Sequence, residues 1–270
     1  MQIVNPPNTT AVQLSSTDRD SANAPKTALT VAPLLEKNNG TLNPVKHKNV
    51  IVAMPPATKP AGTDVPQIVE IKIVAVTKYF GQKAIISGYE AGIRDFAESR
   101  AQDGVLKIDT LPDEIRRNSK FHFIGHLQSN KAEKVVKYFD VIQSVDSLKI
   151  ATTISKAACS LNKKIEILLQ LNNAEEEQKS GYSKEQLKQD LNDILKLEGI
   201  QVRGLMNMAP LGASESELQR LFSDVRNFKT ELEKEFEITL PELSMGMSDD
   251  YKVAAQEGAT MIRIGRKLFT

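Results

Sequence analysis

The stretch IKIVAVTKYF, Ile71 to Phe80, decides how the chain folds. Five of the seven residues from Ile71 to Thr77 are apolar, and most are types that favour strands. The run then stops on Lys78. A lysine is costly in an apolar setting and is rarely left there without a partner. Its place at the end of an apolar strand calls for a chemical reason.

Outward from this strand the pattern repeats. Short apolar runs predict strands at Glu70–Val76, Ile93–Phe96, Phe121–Gly125, Asp140–Ser144, Ile165–Leu171, Gln201–Met206, Leu240–Ser244 and Thr260–Ile264. Helical periodicity fills most gaps, as in SKEQLKQDLNDILKLEG (Ser183 to Gly199), where Leu187, Leu191, Ile194 and Leu195 share one face. A second example is ESELQRLFSDVRNFKTELEKEF, Glu215 to Phe236. Strand–helix alternation argues for parallel strands joined by right-handed crossovers. Eight such units in roughly 200 residues fit an α/β fold of the (β/α)8 barrel type, at the small end of its range. A doubly wound open sheet is the alternative, weakened because no GxGxxG follows the first strand.

The segment before the barrel differs. Of the 12 prolines in the chain, nine fall in residues 1–66, and no aromatic precedes Tyr79. Residues 1–65 therefore read as a disordered extension and residues 66–270 as one barrel domain. NVIVAM, Asn49 to Met54, is the run there that could pair as a stray strand. Removing residues 1–60 is expected to leave stability nearly unchanged. Nothing resembles a secretory signal, and Arg19 lies among Asp18, Asp20 and Glu36, which argues against a transit peptide. The net charge of +1 points to no nucleic-acid partner, and no run is long enough to span a bilayer. The single cysteine, Cys159, fits a reducing, cytoplasmic setting and reads as a buried structural thiol.

In a barrel of this kind the active site gathers where strands end, on the C-terminal face. The strand ends supply Lys78, Glu98 with Ser99, His126, Ser144 with Asp146, Asn172, Met206 to Met208, the SMGMS run from Ser244 to Ser248, and Arg263 running into Gly265. The three histidines, His47, His122 and His126, form no HxxxH or HExxH pattern on a helix. A lysine on the rim, its ammonium disfavoured by partial burial, is a candidate for Schiff-base chemistry with an aldehyde. Gly246 with Ser248, and Gly265 with Arg266, offer two adjoining turns where backbone N–H groups suit a phosphate. The structural alternative is two capped helix starts, with Ser248 as an N-cap. Asp249 and Asp250 must point away for a phosphate to sit there. For Arg263 the alternative is a rim ion pair with Glu98 or Asp146.

AVTKYF, FHFIGHLQSNK, QSVDS, KSGYS, GLMNMAP, LSMGMSDDY and GATMIRIGRKLF together resemble the pyridoxal phosphate homeostasis protein family, over about residues 69–269. The resemblance implies a barrel like the N-terminal domain of alanine racemase, carrying pyridoxal 5′-phosphate (PLP) as a Schiff base on Lys78. It also implies Arg263 near the pyridine nitrogen. Ser248, with the backbone around Gly265 and Arg266, is implied at the phosphate. The expected cofactor-binding set is Lys78, Ser99, Ser244, Gly246, Met247, Ser248, Arg263, Gly265 and Arg266, with no metal. The chain departs from the family in FAES (Phe96 to Ser99), usually FGEN, and in Phe121, usually tryptophan. It ends LFT rather than LFG, and the family's helix before strand 1 is not evident.

Arg263 also bears on catalysis. An arginine at the ring nitrogen donates to an unprotonated nitrogen, so the ring is a weak electron sink. Racemases of this architecture add a second domain that supplies a tyrosine base. Here only His126 and Tyr182 are candidates for such a group. The expectation is a monomeric, non-catalytic PLP carrier in vitamin B6 homeostasis, passing cofactor to apo-enzymes. A weak PLP-dependent amino-acid racemase is the alternative.

Overall fold

The computed structural model describes residues 37–38, 41–42, 49–54, 67–173 and 180–269. Among them, eight strands form a closed parallel ring: β1 (Gln67–Val76), β2 (Asp95–Glu98), β3 (Lys120–Phe123), β4 (Val141–Val145), β5 (Ile165–Leu171), β6 (Ile200–Asn207), β7 (Glu242–Ser244) and β8 (Met261–Ile264). Each pairs in parallel with the next. The ring closes where Met261–Ile264 pairs with Lys72–Ala75. The barrel expectation holds.

Strand alternation sorts the apolar side chains into two sets. Ile71, Ile73 and Ala75 of β1 face outward into the main core beneath the helices. Val74 and Val76 face inward, with Ala97, Leu168, Met206 and Met261. The main helices are α1 (Gln82–Glu90), α2 (Ala101–Asp109), α3 (Asp113–Arg117), α4 (Ala132–Tyr138), α5 (Leu148–Ser160), α6 (Lys184–Leu195) and α7 (Glu215–Glu235). Two short ones follow β7 and β8, α8 (Tyr251–Gln256) and α9 (Arg266–Phe269). Serine side chains cap α5, α6 and α7, the last through a capping box of Ser214 and Glu217. On α6, Leu187, Leu191 and Ile194 are buried as expected. Leu195 is exposed, because it sits at the margin of the apolar stripe.

Two expectations are corrected. Cys159 is exposed on α5, not buried. Within the segment expected to be disordered, Asn49–Met54 pairs antiparallel with Gln67–Lys72, and Lys37–Asn38 pairs with Thr41–Leu42. The reason is legible at Asn49–Met54: β1 extends below the barrel, and its first half offers an edge that NVIVAM, rich in β-branched residues, can fill. The remainder of residues 1–66 lies outside the described residues.

Candidate functional site

Arg263 sits on the inner face of β8 with 3% of its surface exposed. Its Nη1 donates to the carbonyl and hydroxyl oxygens of Ser244, at 2.8 and 2.7 Å, and Nη2 donates to the carbonyl of Asn207 at 2.7 Å. Burial lowers its pKa to about 10, opposed by the nearby Asp250 carboxylate. It therefore keeps its charge at neutral pH. The rim ion pair does not form: Glu98 takes Lys107 at 2.7 Å and Asp146 takes His126 at 3.2 Å. A guanidinium has five N–H donors. Three are taken, so donor capacity remains for a ligand above.

Beside Arg263 the chain leaves β7 through a tight turn. Gly246 has φ +90°, and a Cβ there would lie 2.5 Å from the Ala254 side chain. The turn folds Asp250 inward to accept from the Met247 N–H, while Asp249 turns out to Arg266 at 2.7 Å. Asp249 thus points away, as a phosphate at this turn requires, whereas Asp250 does not: its carboxylate lies inside the turn and occupies the Met247 N–H. Ser248 is 7% exposed, and its hydroxyl and N–H find no partner among the described residues. The N-cap of α8 is Asp250, not Ser248. Gly265 passes the first strand closely; a Cβ there would stand 3.1 Å from the Val76 carbonyl. Its N–H also lacks an acceptor among the described residues. The side chain of Arg266 lies on the surface with Asp249, so only its backbone borders the turn.

Lys78 ends β1 on the same rim. Its Nζ lies 5.0 Å from the Tyr79 ring centroid, with no hydrogen-bond or ion-pair acceptor among the described residues. The neighbouring amine is different. Lys107 Nζ is held by Glu98 at 2.7 Å and the Thr77 carbonyl at 2.8 Å, outside the ring. Gly104 of α2 makes room for the Phe139 ring and the Glu98 stem, since a Cβ there would meet them at 2.7 and 3.0 Å. Ser99 is half-buried at the end of β2, and its carbonyl fills the space a Gly125 side chain would need.

The other rim candidates are tied up elsewhere. Ser144 donates to the Gly125 carbonyl. Tyr182 is buried in the main core with its hydroxyl pKa raised, first by burial and then by Asp190. His126 is exposed beside Asp146. His47 lies outside the described residues. No metal-binding cluster occurs among the described residues, nor does any helix there have the length and apolarity to cross a membrane.

Residues 67–270 match the family described as alanine racemase, N-terminal domain. A protein of Synechocystis sp. named pyridoxal phosphate homeostasis protein is 41% identical over 227 residues, covering 84% of this chain and 97% of that one. The chain belongs to the pyridoxal phosphate homeostasis protein family. An Aquifex aeolicus relative of the same name is 34% identical over 198 residues, 73% of this chain and 86% of that one. The solved structure of PipY from Synechococcus elongatus PCC7942, with PLP bound, matches with a TM-score of 0.68 at 38% identity. It covers 74% of this chain and 92% of that one.

For this member of the homeostasis family, Asn207, counted in the sequence among the strand-end residues Met206 to Met208, has a closer role than expected, and Gln143 escaped the sequence reading. Asn207 supplies a carbonyl to Arg263 and carries a buried Oδ1 without a partner among the described residues. Its place in GLMNMAP, at the end of β6, was the available signal. Gln143 lies inside the barrel, bonded to Ser244, and nothing local marks it.

Proposed function

We propose that this chain holds PLP covalently at Lys78 and serves vitamin B6 homeostasis as a carrier without significant catalysis. The observation that carries this reading is an amine without a protein acceptor, Lys78, on the same rim as a buried cationic donor, Arg263, and two turn N–H groups with no acceptor, at Ser248 and Gly265. When bound, PLP supplies an aldehyde for an amine and an electron-poor ring. Lys78 is the residue that would hold the cofactor, its deprotonated Nζ joined to the aldehyde carbon with the aldehyde oxygen lost as water. Arg263 donates to the ring nitrogen and, being charged, supplies no proton to it, so carbanion chemistry is weakly supported. Ser248, with the N–H of Gly265, would hold the phosphate, and Gly246 lets Ser248 reach it, the Met247 N–H being held by Asp250. Ser99 borders the ring. Asn207 Oδ1, buried and unpaired, fits a polar group of the ligand.

The protein acts as a monomeric cytoplasmic carrier whose barrel spans 66–270 and whose recipients are PLP-dependent apo-enzymes. The weak-racemase reading rests on His126, an exposed imidazole held by Asp146. Tyr182 does not serve as a base, since it is buried behind β5. The test pairs PLP transfer to an apo-enzyme with racemisation of L-alanine and other amino acids. Transfer without turnover supports the carrier. Turnover at about 1 per second or more, a usual enzyme rate, overturns it.

A further inference from the structure

A line of hydrogen bonds runs inside the barrel from Arg263 to Asp95, and the proposed function uses only its first member. Arg263 Nη1 donates to Ser244 Oγ at 2.7 Å, and Ser244 Oγ donates to Gln143 Oε1 at 2.7 Å. Gln143 Nε2 lies 2.9 Å from His122 Nδ1, and His122 Nε2 lies 2.8 Å from Asp95 Oδ1. The five side chains come from β8, β7, β4, β3 and β2. Ser244, Gln143 and His122 are each 0% exposed. Such a polar line through a barrel interior costs stability unless every member is satisfied.

The two ends fix the direction of every hydrogen in it. Asp95 as a carboxylate only accepts, so His122 Nε2 carries the hydrogen. Ser244 Oγ accepts from Arg263 and gives its own hydrogen to Gln143, which presents Oε1 to it. The amide nitrogen of Gln143 then faces His122 Nδ1, which must accept, because a hydrogen there would set two donors against each other. All donors point from the cation to the carboxylate, the arrangement in which successive bonds polarise one another. No carboxylate is bonded directly to Arg263.

We propose that Asp95, His122, Gln143 and Ser244 are positioning residues for Arg263. They hold Ser244 in one rotamer, which turns the guanidinium so that its remaining donors face upward to the ring nitrogen. This rests on the reading of Arg263 as the partner of that nitrogen. Ser244 thereby acts through Arg263 rather than on the cofactor itself.

Two measurements test the proposal separately from that reading. In protein freed of cofactor, nitrogen NMR of His122 should show the hydrogen on Nε2, and Gln143→Met should disturb that signal. A hydrogen on Nδ1 would overturn the line. In protein loaded with PLP, Gln143→Met and Ser244→Ala should each shift the visible band and speed cofactor release about tenfold, the scale of one lost hydrogen bond to a charged group. His122→Phe should do the same, and His122→Gln, which keeps a donor for Asp95 and an acceptor for Gln143, should restore most of the wild-type band. Variants that melt earlier yet keep the wild-type band and release rate would show plain core residues and overturn the proposal. If wild-type protein takes up no PLP, the proposed function fails, and the NMR result alone decides the line.

Discussion

Arg263 shows how much one residue's setting constrains substitution. Its guanidinium faces the carbonyls of Ser244 and Asn207, so Arg263→Glu sets a carboxylate against two acceptors in a buried site. We expect a loss of about 3–5 kcal/mol in urea unfolding, the range for leaving a buried charge unpaired. A loss below about 1 kcal/mol, the scale of a surface pair, would contradict that geometry. The lowered pKa of about 10 has a defined consequence. The folded state releases this proton before the unfolded state does, so this group favours folding increasingly as pH rises through 10 and adds no pH dependence near neutrality. Gly246→Ala tests the turn. With φ +90° and the Ala254 side chain in the way, it should cost about 1–3 kcal/mol and weaken cofactor retention. Unchanged unfolding and retention would show that the turn yields freely. Lys78 and Ser248 stand out in the sequence, as a lysine closing an apolar run and a serine in a glycine turn, whereas the role expected of Arg263 came from the family resemblance. The line joining Ser244 to Gln143 and His122 was not legible, because Ser244 and its partner Gln143 are 101 residues apart and a single polar residue within a strand gives no sign of its partner.

At the scale of elements, the eight strands were readable from period and composition, with ends displaced by a few residues. For Leu240–Ser244 the ordered part shrinks to Glu242–Ser244, since Leu240 packs in the core from the preceding loop and its N–H is taken by Glu233. The run Asn49–Met54 was expected at most as a stray strand in a disordered extension; β1 begins at Gln67, ahead of the expected Glu70, and its leading half is the partner. That pairing changes the expectation for truncation. Deleting residues 1–48 should leave the melting temperature unchanged. Deleting residues 1–60 should lower it by about 2–8 °C, as one or two kcal/mol does in a domain of this size. Equal melting temperatures for the two truncations would show that the strand contributes nothing to the barrel.

For the whole molecule, barrel closure follows from eight strand–helix units, and it brings β8 beside β1. That adjacency places Gly265 against Val76 and carries the first and last strands of the ring to one rim. Lys78 is separated from Arg263 by most of the sequence, and closure pairs the strands that carry them, which is what the proposed site needs. Light scattering of the purified chain should give a single-chain mass; a dimer would contradict the monomer proposal. The account's central claim is the covalent link at Lys78, and borohydride reduction followed by peptide mass mapping tests it most directly. The account predicts a visible absorption band that reduction abolishes, with the cofactor mass fixed on the peptide containing Lys78 and absent from Lys78→Ala, whose melting temperature stays close to wild type. Cofactor mass on a different lysine, or retained in Lys78→Ala, would contradict it.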